Sequence, residues 1–209
     1  MNNLYVYACS HGKFGSTHNT SPAEQQWTDL NSFPKIMATG LDAVLVNRSQ
    51  PGCSNFHIFQ NILNDIDKIR STDTVVIRWT YISRTWKEGA YTLMQHMIDE
   101  GDATALIYYK QLYNPLQSLS SIVCYTHYLR SKLNCEFYYT VSDNKNYINS
   151  INKTLYKDFI HTVGWMDVVD IPKNELFECG HANQLGHTTT ANFYIKHIRK
   201  QHETAQNTS

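Results

Sequence analysis

The chain has 209 residues, with 18 Lys plus Arg balanced by 18 Asp plus Glu. This length suits one domain with a substantial core, and the zero formal charge gives no electrostatic reason to expect nucleic acid or an anionic membrane as a partner. No stretch approaches the roughly 20 apolar residues that span a bilayer, and the first residues do not form a secretory leader. We therefore expect a soluble cytoplasmic protein without a cleaved signal.

The cysteines are odd in number, widely spaced and without a paired CxxC motif. This pattern favours reduced thiols over a disulfide framework. The five residues are Cys9, Cys53, Cys124, Cys135 and Cys179.

Short apolar runs alternate with helical patterns along the chain. Four runs predict buried strands at residues 4–8, 43–47, 74–79 and 136–141. Helical patterns cover residues 27–41, with an interruption at Pro34, and residues 54–71, with Ser54 as N-cap. Most of 87–133 is also expected to be helical, and Pro115 starts the helix in its second half. Another helix lies within about the last 25 residues. A long polar loop, 11–22, follows the first strand.

This alternation predicts a single-domain, flavodoxin-like α/β fold. A mostly parallel sheet would be covered by helices on both faces as three α/β/α layers, over residues 1–202, with a frayed polar tail at 203–209. Ligands of such sheets bind outside the carboxyl ends of the strands. The segments that follow the strands are therefore the ones to search for chemistry.

Ser10 lies one residue past the first strand, where its hydroxyl would stand at the mouth of the crevice. Its neighbours are Cys9 and His11. Side chains alternate along a strand, so these two should turn away from the direction of Ser10. Cys9 is still the serious rival nucleophile, because a thiol is intrinsically the better one. We expect His11 on the substrate side or in solvent.

Residues 50–55 (QPGCSN) close the second strand and begin a helix. Gly52 allows close backbone approach, and the N–H groups of a helix N-terminus suit a developing negative charge. Such groups can form an oxyanion hole. The same residues would also make an ordinary connection between a strand and a helix.

Glu178 precedes His181 by three residues, just before the last helix. On an irregular loop, this spacing lets a carboxylate orient the imidazole and stabilise its protonated form. The alternative is a polar loop in which Asn183 only caps the helix. His187 lies inside that helix, where packing or hydrogen bonding is its expected role.

Together, four blocks resemble the ordered motifs of SGNH (GDSL-like) hydrolases, most closely a divergent phage-type branch. The blocks are residues 8–12 (ACSHG), 51–55 (PGCSN), 76–80 (VIRWT) and 181–187 (HANQLGH). The resemblance implies the SGNH fold, with Ser10 as nucleophile, His181 as base and Glu178 as acid. It also implies an oxyanion hole that includes the N–H groups of Ser10 and Gly52.

The chain departs from the family pattern at three places. Glu178 stands where the family has Asp, Ala182 follows the histidine where the family has Pro, and the third-block Gly-x-Asn-Asp is missing. We expect Asn55 to replace the missing oxyanion donor, with Thr80 as the second candidate. His11 and Trp79 are the expected substrate-binding residues.

The resemblance implies an esterase or deacylase that removes acyl groups, such as acetyl, from a small molecule or glycan without cofactor or metal. A phage-encoded enzyme would act in the host cytoplasm. One alternative is a non-catalytic phage structural or assembly protein on the same fold. Another is a flavodoxin-like module whose loop after Ser10 holds a nucleotide phosphate. A third is a metal enzyme, with candidate ligands Cys9, His11, Cys179, His181 and His187.

Overall fold

The computed structural model describes residues 2–9, 31–87, 91–93, 95–142 and 182–206. Within them, the strands are β1 Asn3–Ala8, β2 Val44–Asn47, β3 Thr74–Trp79, β4 Thr85–Lys87, β5 Tyr91–Leu93 and β6 Glu136–Val141. The main sheet has the order β2-β1-β3-β6, and every neighbouring pair is parallel. The predicted parallel α/β sheet is confirmed.

Helices cover both faces of this sheet. They are α1 Phe33–Gly40, α2 Asn55–Asp65, α3 Ala103–Ile107, α4 Pro115–Lys132 and α5 Gln184–Gln206. Of these described helices, none combines the length and the hydropathy that crossing a bilayer requires.

β1 shows why the sheet needs two helical layers. Tyr5 and Tyr7 pack on one face, in a cluster that also contains side chains of α2 and α4. Leu4, Val6 and Ala8 pack on the other, with side chains of α1 and α5. Because both faces of β1 are buried, its sequence is a continuous apolar run, as is usual for parallel strands.

The sequence predicts an interruption of the helical stretch at Pro34, and the structure has one two residues earlier, at Ser32, between the helical Asn31 and the start of α1. Pro34 itself lies in the first turn of α1, next to Phe33. A missing N–H costs nothing there, because the first helical N–H groups have no partner within the helix. At the other end, a Cβ on Gly40 would come within 2.6 Å of Ile195 Cδ1. The absence of a side chain therefore lets α1 approach α5 closely.

The segment 87–133 is less helical than its sequence pattern predicts. β4 and β5 form an antiparallel pair, with Lys87 opposite Tyr91. A 3₁₀ turn, α3 and a π-helical turn follow before α4 begins at Pro115. Thr and aromatic residues on both sides of Gly89 favour this hairpin over a helix.

The last helix extends further than expected. The sequence predicts a polar tail after residue 202, whereas α5 continues to Gln206. His202 Nε2 lies 2.5 Å from Glu136 Oε1, so a contact with β6 supports this part of the helix.

Asp73 joins the first residues of the two central strands. Its carboxylate accepts hydrogen bonds from the backbone N–H of Asn3 at 2.9 Å and from the backbone and side chain of Arg70. Burial opposes ionisation of this carboxyl group. The hydrogen bonds from Arg70 and Asn3 outweigh that effect and hold the pKa of Asp73 well below its usual range.

Candidate active site

The ends of β1, β2 and β3 form the edge at which the predicted site lies. The chain that leaves β2 continues beside β1, because Arg48 N donates to Val6 O at 2.8 Å and Gln50 N donates to Ala8 O at 2.9 Å. Cys53 Sγ also contacts Ala8 O, at 3.6 Å. These bonds fix the second block directly over the last residue of β1, two positions before Ser10 in the sequence.

Gly52 occupies the third position of a tight turn. Cys53 N donates to Gln50 O at 3.3 Å across this turn, and Gly52 has φ +72° after a proline. These are the features of a type II turn, which needs glycine at this position for its positive φ. Gly52 therefore holds a fixed backbone conformation beside the end of β1.

Asn55 connects the start of α2 to the loop after β3 through hydrogen bonds. Its Oδ1 accepts from Thr80 N at 2.8 Å, and its Nδ2 donates to Thr80 O and to Tyr81 O, both at 3.3 Å. Ser54 caps the same helix by accepting from His57 N. The second and third blocks are thus one hydrogen-bonded unit, which the sequence does not reveal.

Thr80 is fully buried, and its Oγ1 has no hydrogen-bond partner within the described part of the chain. A buried hydroxyl without a partner is costly and calls for an explanation. The Asn55 amide, in contrast, is occupied by the two backbone carbonyls. Of the two predicted side-chain donors, the contacts therefore favour Thr80, and the oxyanion role of both stays a prediction.

Residues 78 and 79 face opposite sides of the sheet. Trp79 is 0% exposed, and its Nε1 donates to Thr126 Oγ1 on α4 at 3.1 Å. Its ring packs in the core, and its predicted contact with substrate stays untested. Arg78 is 4% exposed on the α1 and α5 side, and its Cζ lies 6.0 Å from the centre of the Phe33 ring.

Cys9 is fully buried in the cluster beneath α2 and α4. Cys53, beside it, has its pKa raised to about 12, chiefly by burial and further by Cys9. A buried thiol in apolar surroundings is inert. Cys9 is therefore poorly placed to act as a nucleophile, and the direction of its side chain relative to Ser10 stays a prediction.

Ser10, His11, Glu178 and His181 lie outside the described residues. The chain is described again from Ala182, which is 2% exposed, and Asn183, whose Oδ1 accepts from Leu185 N at 2.9 Å and from Gly186 N. The prediction that Asn183 caps the last helix is confirmed. Among the metal candidates only Cys9 and His187 are described, and the described residues include no cluster of three possible ligands.

His187 joins the first turns of α1 and α5. It is 1% exposed, and its Nδ1 accepts the backbone N–H of Phe33 at 3.2 Å. Ser32, the N-cap residue of α1, makes no side-chain capping bond, so His187 supplies the acceptor. The predicted hydrogen-bonding role of this histidine is confirmed.

A cavity of about 330 Å³ opens next to Asn55 on the α2 and α4 side. The start of α2, the loop after β3 and one side of α4 form its walls. The lining residues are Ser54, Asn55, Phe56, Ile82, Arg84, Thr85, Ser118, Ser121 and Tyr125. The sequence motifs do not indicate this cavity, because Arg84 and the α4 residues belong to none of the four blocks.

No protein-family model matches the sequence, and no curated protein sequence is significantly similar to it. Solved structures are similar in fold. The psychrotrophic esterase EstA from Pseudoalteromonas sp. has TM-score 0.53 and 11% identity, covering 97% of this chain and 100% of its own. A member of the lipolytic protein G-D-S-L family from Veillonella parvula DSM 2008 has TM-score 0.52 and 13% identity, with coverages of 94% and 97%.

A family two carbohydrate esterase from Clostridium thermocellum, in complex with cellohexaose, has TM-score 0.58 and 11% identity over 96% of this chain. This chain spans only 64% of the length of that esterase. The fold is therefore that of the SGNH hydrolases. Within that class, the similar structures are lipolytic G-D-S-L proteins, esterases and carbohydrate esterases, and they give no support to the phage-type branch.

Proposed function

We propose that this protein is a serine hydrolase of the SGNH type that removes acyl groups from esters of a small molecule or a glycan. The observation that carries the proposal is the hydrogen-bonded turn at Gly52, held over the end of β1 next to Ser10 in the chain. Acyl transfer through a serine needs N–H donors beside the nucleophile. Both donors, the N–H groups of Ser10 and Gly52, would lie at this edge of the sheet.

The reaction begins when Ser10 Oγ attacks the ester carbonyl carbon and His181 accepts the hydroxyl proton. Glu178 holds the imidazole and stabilises its charge. Collapse of the tetrahedral intermediate breaks the ester bond, and His181 returns the proton to the leaving alcohol. Water then attacks the acyl-serine in the same way, which releases the carboxylic acid and restores Ser10.

The oxyanion is held by the N–H groups of Ser10 and Gly52, with the Thr80 hydroxyl as the side-chain donor. Thr80 is preferred to Asn55 because the Asn55 amide already donates to Thr80 O and Tyr81 O. Asn55 then acts on the reaction through the position of Thr80. Its bond to Thr80 N, at 2.8 Å, is the shortest of the three.

A glycan ester fits this proposal, since one similar structure is a carbohydrate esterase in complex with cellohexaose. The competing possibility is a protein that keeps the fold without turnover, for which the missing third-block asparagine is the argument. A covalent probe separates the two, because it reports the nucleophile without knowledge of the natural substrate.

The experiment treats the protein with a fluorophosphonate probe and maps the labelled residue by mass spectrometry, alongside hydrolysis of an aryl acetate. We expect label on Ser10, and loss of both label and turnover in Ser10→Ala. Cys9→Ala is the matched control and should keep most of both, since Cys9 is buried in the core. Urea unfolding of each variant shows that it is folded.

Two outcomes would overturn the proposal. A folded protein that neither takes the label nor hydrolyses any ester would point to a non-catalytic role. Loss of turnover in folded Cys9→Ala, with Ser10→Ala still active, would replace the serine mechanism with thiol chemistry.

A further inference from the structure

Arg84 brings a positive charge to the wall of the cavity beside Asn55. Its Nη1 is buried and has no hydrogen-bond partner among the described residues. Its Cζ lies 5.4 Å from the centre of the Tyr81 ring, which positions the guanidinium from one side. A buried guanidinium N–H without an acceptor is a donor available to a ligand.

The described lining of this cavity contains no acidic residue, and Arg84 is its only charged side chain. None of the ion pairs among the described residues involves Arg84. The charge of Arg84 also lowers the pKa of Cys53, against the larger raising effect of burial, so its field reaches the second block. Within the described part of the chain, the cavity thus holds one positive charge without a counter-ion.

Other groups in the wall suit the same kind of ligand. The first turn of α2, an 11-residue helix, borders the cavity at Ser54 and Asn55 and adds the partial positive charge of a helix N-terminus. Ser118 and Ser121 contribute hydroxyls from α4, and Phe56 and Tyr125 contribute apolar surface. Together they match a small anion attached to a carbon skeleton.

We propose that this cavity binds a carboxylate of the ester substrate, with Arg84 as its counter-ion. The inference rests on the proposed function, which it narrows to esters that carry an acidic group. Asn55 lines the cavity and also holds Thr80, so the bound carboxylate would lie close to the reacting ester. The planar fork of donors suits a carboxylate or a phosphate, and a carboxylate is favoured over a phosphate dianion because Arg84 supplies a single positive charge.

The test compares esters that carry a free carboxylate with their uncharged methyl esters, and it follows release of the phenol, the reaction that both members of a pair share. One pair is 3-acetoxybenzoate and its methyl ester, and the other is the 4-nitrophenyl monoester of adipic acid and its methyl ester. We expect the charged member to have the higher kcat/KM in at least one pair. Arg84→Gln should lower the ratio of charged to neutral kcat/KM about tenfold to a hundredfold, chiefly through KM.

Two further variants make the result specific to Arg84. Arg84→Lys keeps the charge but not the fork of donors, and should recover part of the ratio. Arg130→Gln removes the same charge from an exposed position on α4, outside the cavity, and should leave the ratio unchanged. Circular dichroism and urea unfolding show whether each variant is folded.

A binding measurement distinguishes failure of the cavity proposal from failure of the proposed function. Isothermal titration of Ser10→Ala with 3-acetoxybenzoate should show binding that the added Arg84→Gln substitution weakens. If this binding is found but the wild-type protein hydrolyses no ester, the cavity proposal holds and the proposed function fails. If both members of each pair are hydrolysed equally and Arg84→Gln leaves the ratios unchanged, the cavity proposal fails alone. Inorganic phosphate that competes better than benzoate would overturn the carboxylate assignment.

Discussion

Asn55 and Thr80 divide two roles that a sequence motif would give to a single asparagine. The side-chain amide of Asn55 holds the backbone on both sides of the bond between Thr80 and Tyr81. The hydroxyl of Thr80 is buried without a partner within the described residues. Asn55 therefore fixes the loop, and the Thr80 hydroxyl is the group for which we propose the oxyanion as partner.

Substitution of these two residues should separate stability from turnover. Asn55→Ala leaves buried backbone groups without partners, so we expect its free energy of unfolding to fall by about 2 kcal/mol. Thr80→Val keeps the shape and removes only the hydroxyl, so its stability should be retained while kcat for an aryl acetate falls about a hundredfold. Urea unfolding and steady-state kinetics measure the two effects. Normal turnover in Thr80→Val would remove Thr80 from the oxyanion hole.

For single residues, the sequence indicates which side chains are candidates for the site, but it does not reveal which groups they contact. Asn55 and Thr80 both follow predicted strands, and this position identifies them as candidates. The bond between them joins residues 25 positions apart, and no local pattern specifies it. Arg84 was missed for a related reason, since a single arginine after a strand is an ordinary surface residue until the structure shows its buried nitrogen.

The junction of α1 and α5 links the described part of the fourth block, residues 182–187, to the rest of the fold. His187 Nδ1 accepts the N–H of Phe33, and this requires Nδ1 to be unprotonated. Phe33 and Tyr194 stack beside it, with ring centres 6.0 Å apart. The junction therefore holds the first turn of α5, which begins three residues after His181 in the sequence.

Loss of the His187 acceptor should loosen this junction. We expect His187→Ala to lower the free energy of unfolding by about 2 kcal/mol, since it opens a small cavity and leaves the Phe33 N–H without its partner. His197→Ala is the matched control on the same helix. Its ring contacts Phe193, one turn away, with Nδ1 2.7 Å from Phe193 O and the two ring centres 4.3 Å apart. Chemical unfolding of the two variants is the measurement, and equal losses would contradict the proposed capping role.

Elements with a strong local signal could be predicted well. The bounds of β3 and β6 agree with the prediction, because each is a short run rich in β-branched or aromatic residues. The N-cap of α2 at Ser54 is also confirmed. The hairpin of β4 and β5 was missed because its strands have only three residues each, too few for a clear periodicity.

For the molecule as a whole, the Asp73 carboxylate makes stability depend on pH. Its side chain is 0% exposed and bonded to Arg70 and to the start of β1. Its pKa is lower in the folded chain than the usual value of about 3.9. The ionised group therefore stabilises the fold above about pH 4, and this contribution is lost as the pH falls toward the folded pKa.

Asp73→Asn should remove this contribution. We expect the free energy of unfolding at pH 7 to fall by about 2 kcal/mol, because a neutral amide replaces the buried, charged acceptor of the hydrogen bonds from Asn3 N and Arg70 N. The loss of stability between pH 5 and pH 3 should also be smaller in the variant than in the wild type. Asp67→Asn, at an exposed position nearby, is the control and should change neither quantity. Urea unfolding across this pH range tests both expectations.

The strand order also sets the timing of folding during synthesis. β1 is an interior strand, but its partners are made later, since Leu4 pairs with Leu45 and with Thr74. At about 5–20 residues per second, translation of the 70 residues that separate Leu4 from Thr74 takes roughly 4 to 14 s. Until β2 is made, the apolar run at residues 4–8 has no strand to pair with, and until β3 is made its other edge stays unpaired. We expect the nascent chain to need protection at this segment, and pairing between β1 and β3 to begin only once β3 has left the ribosome.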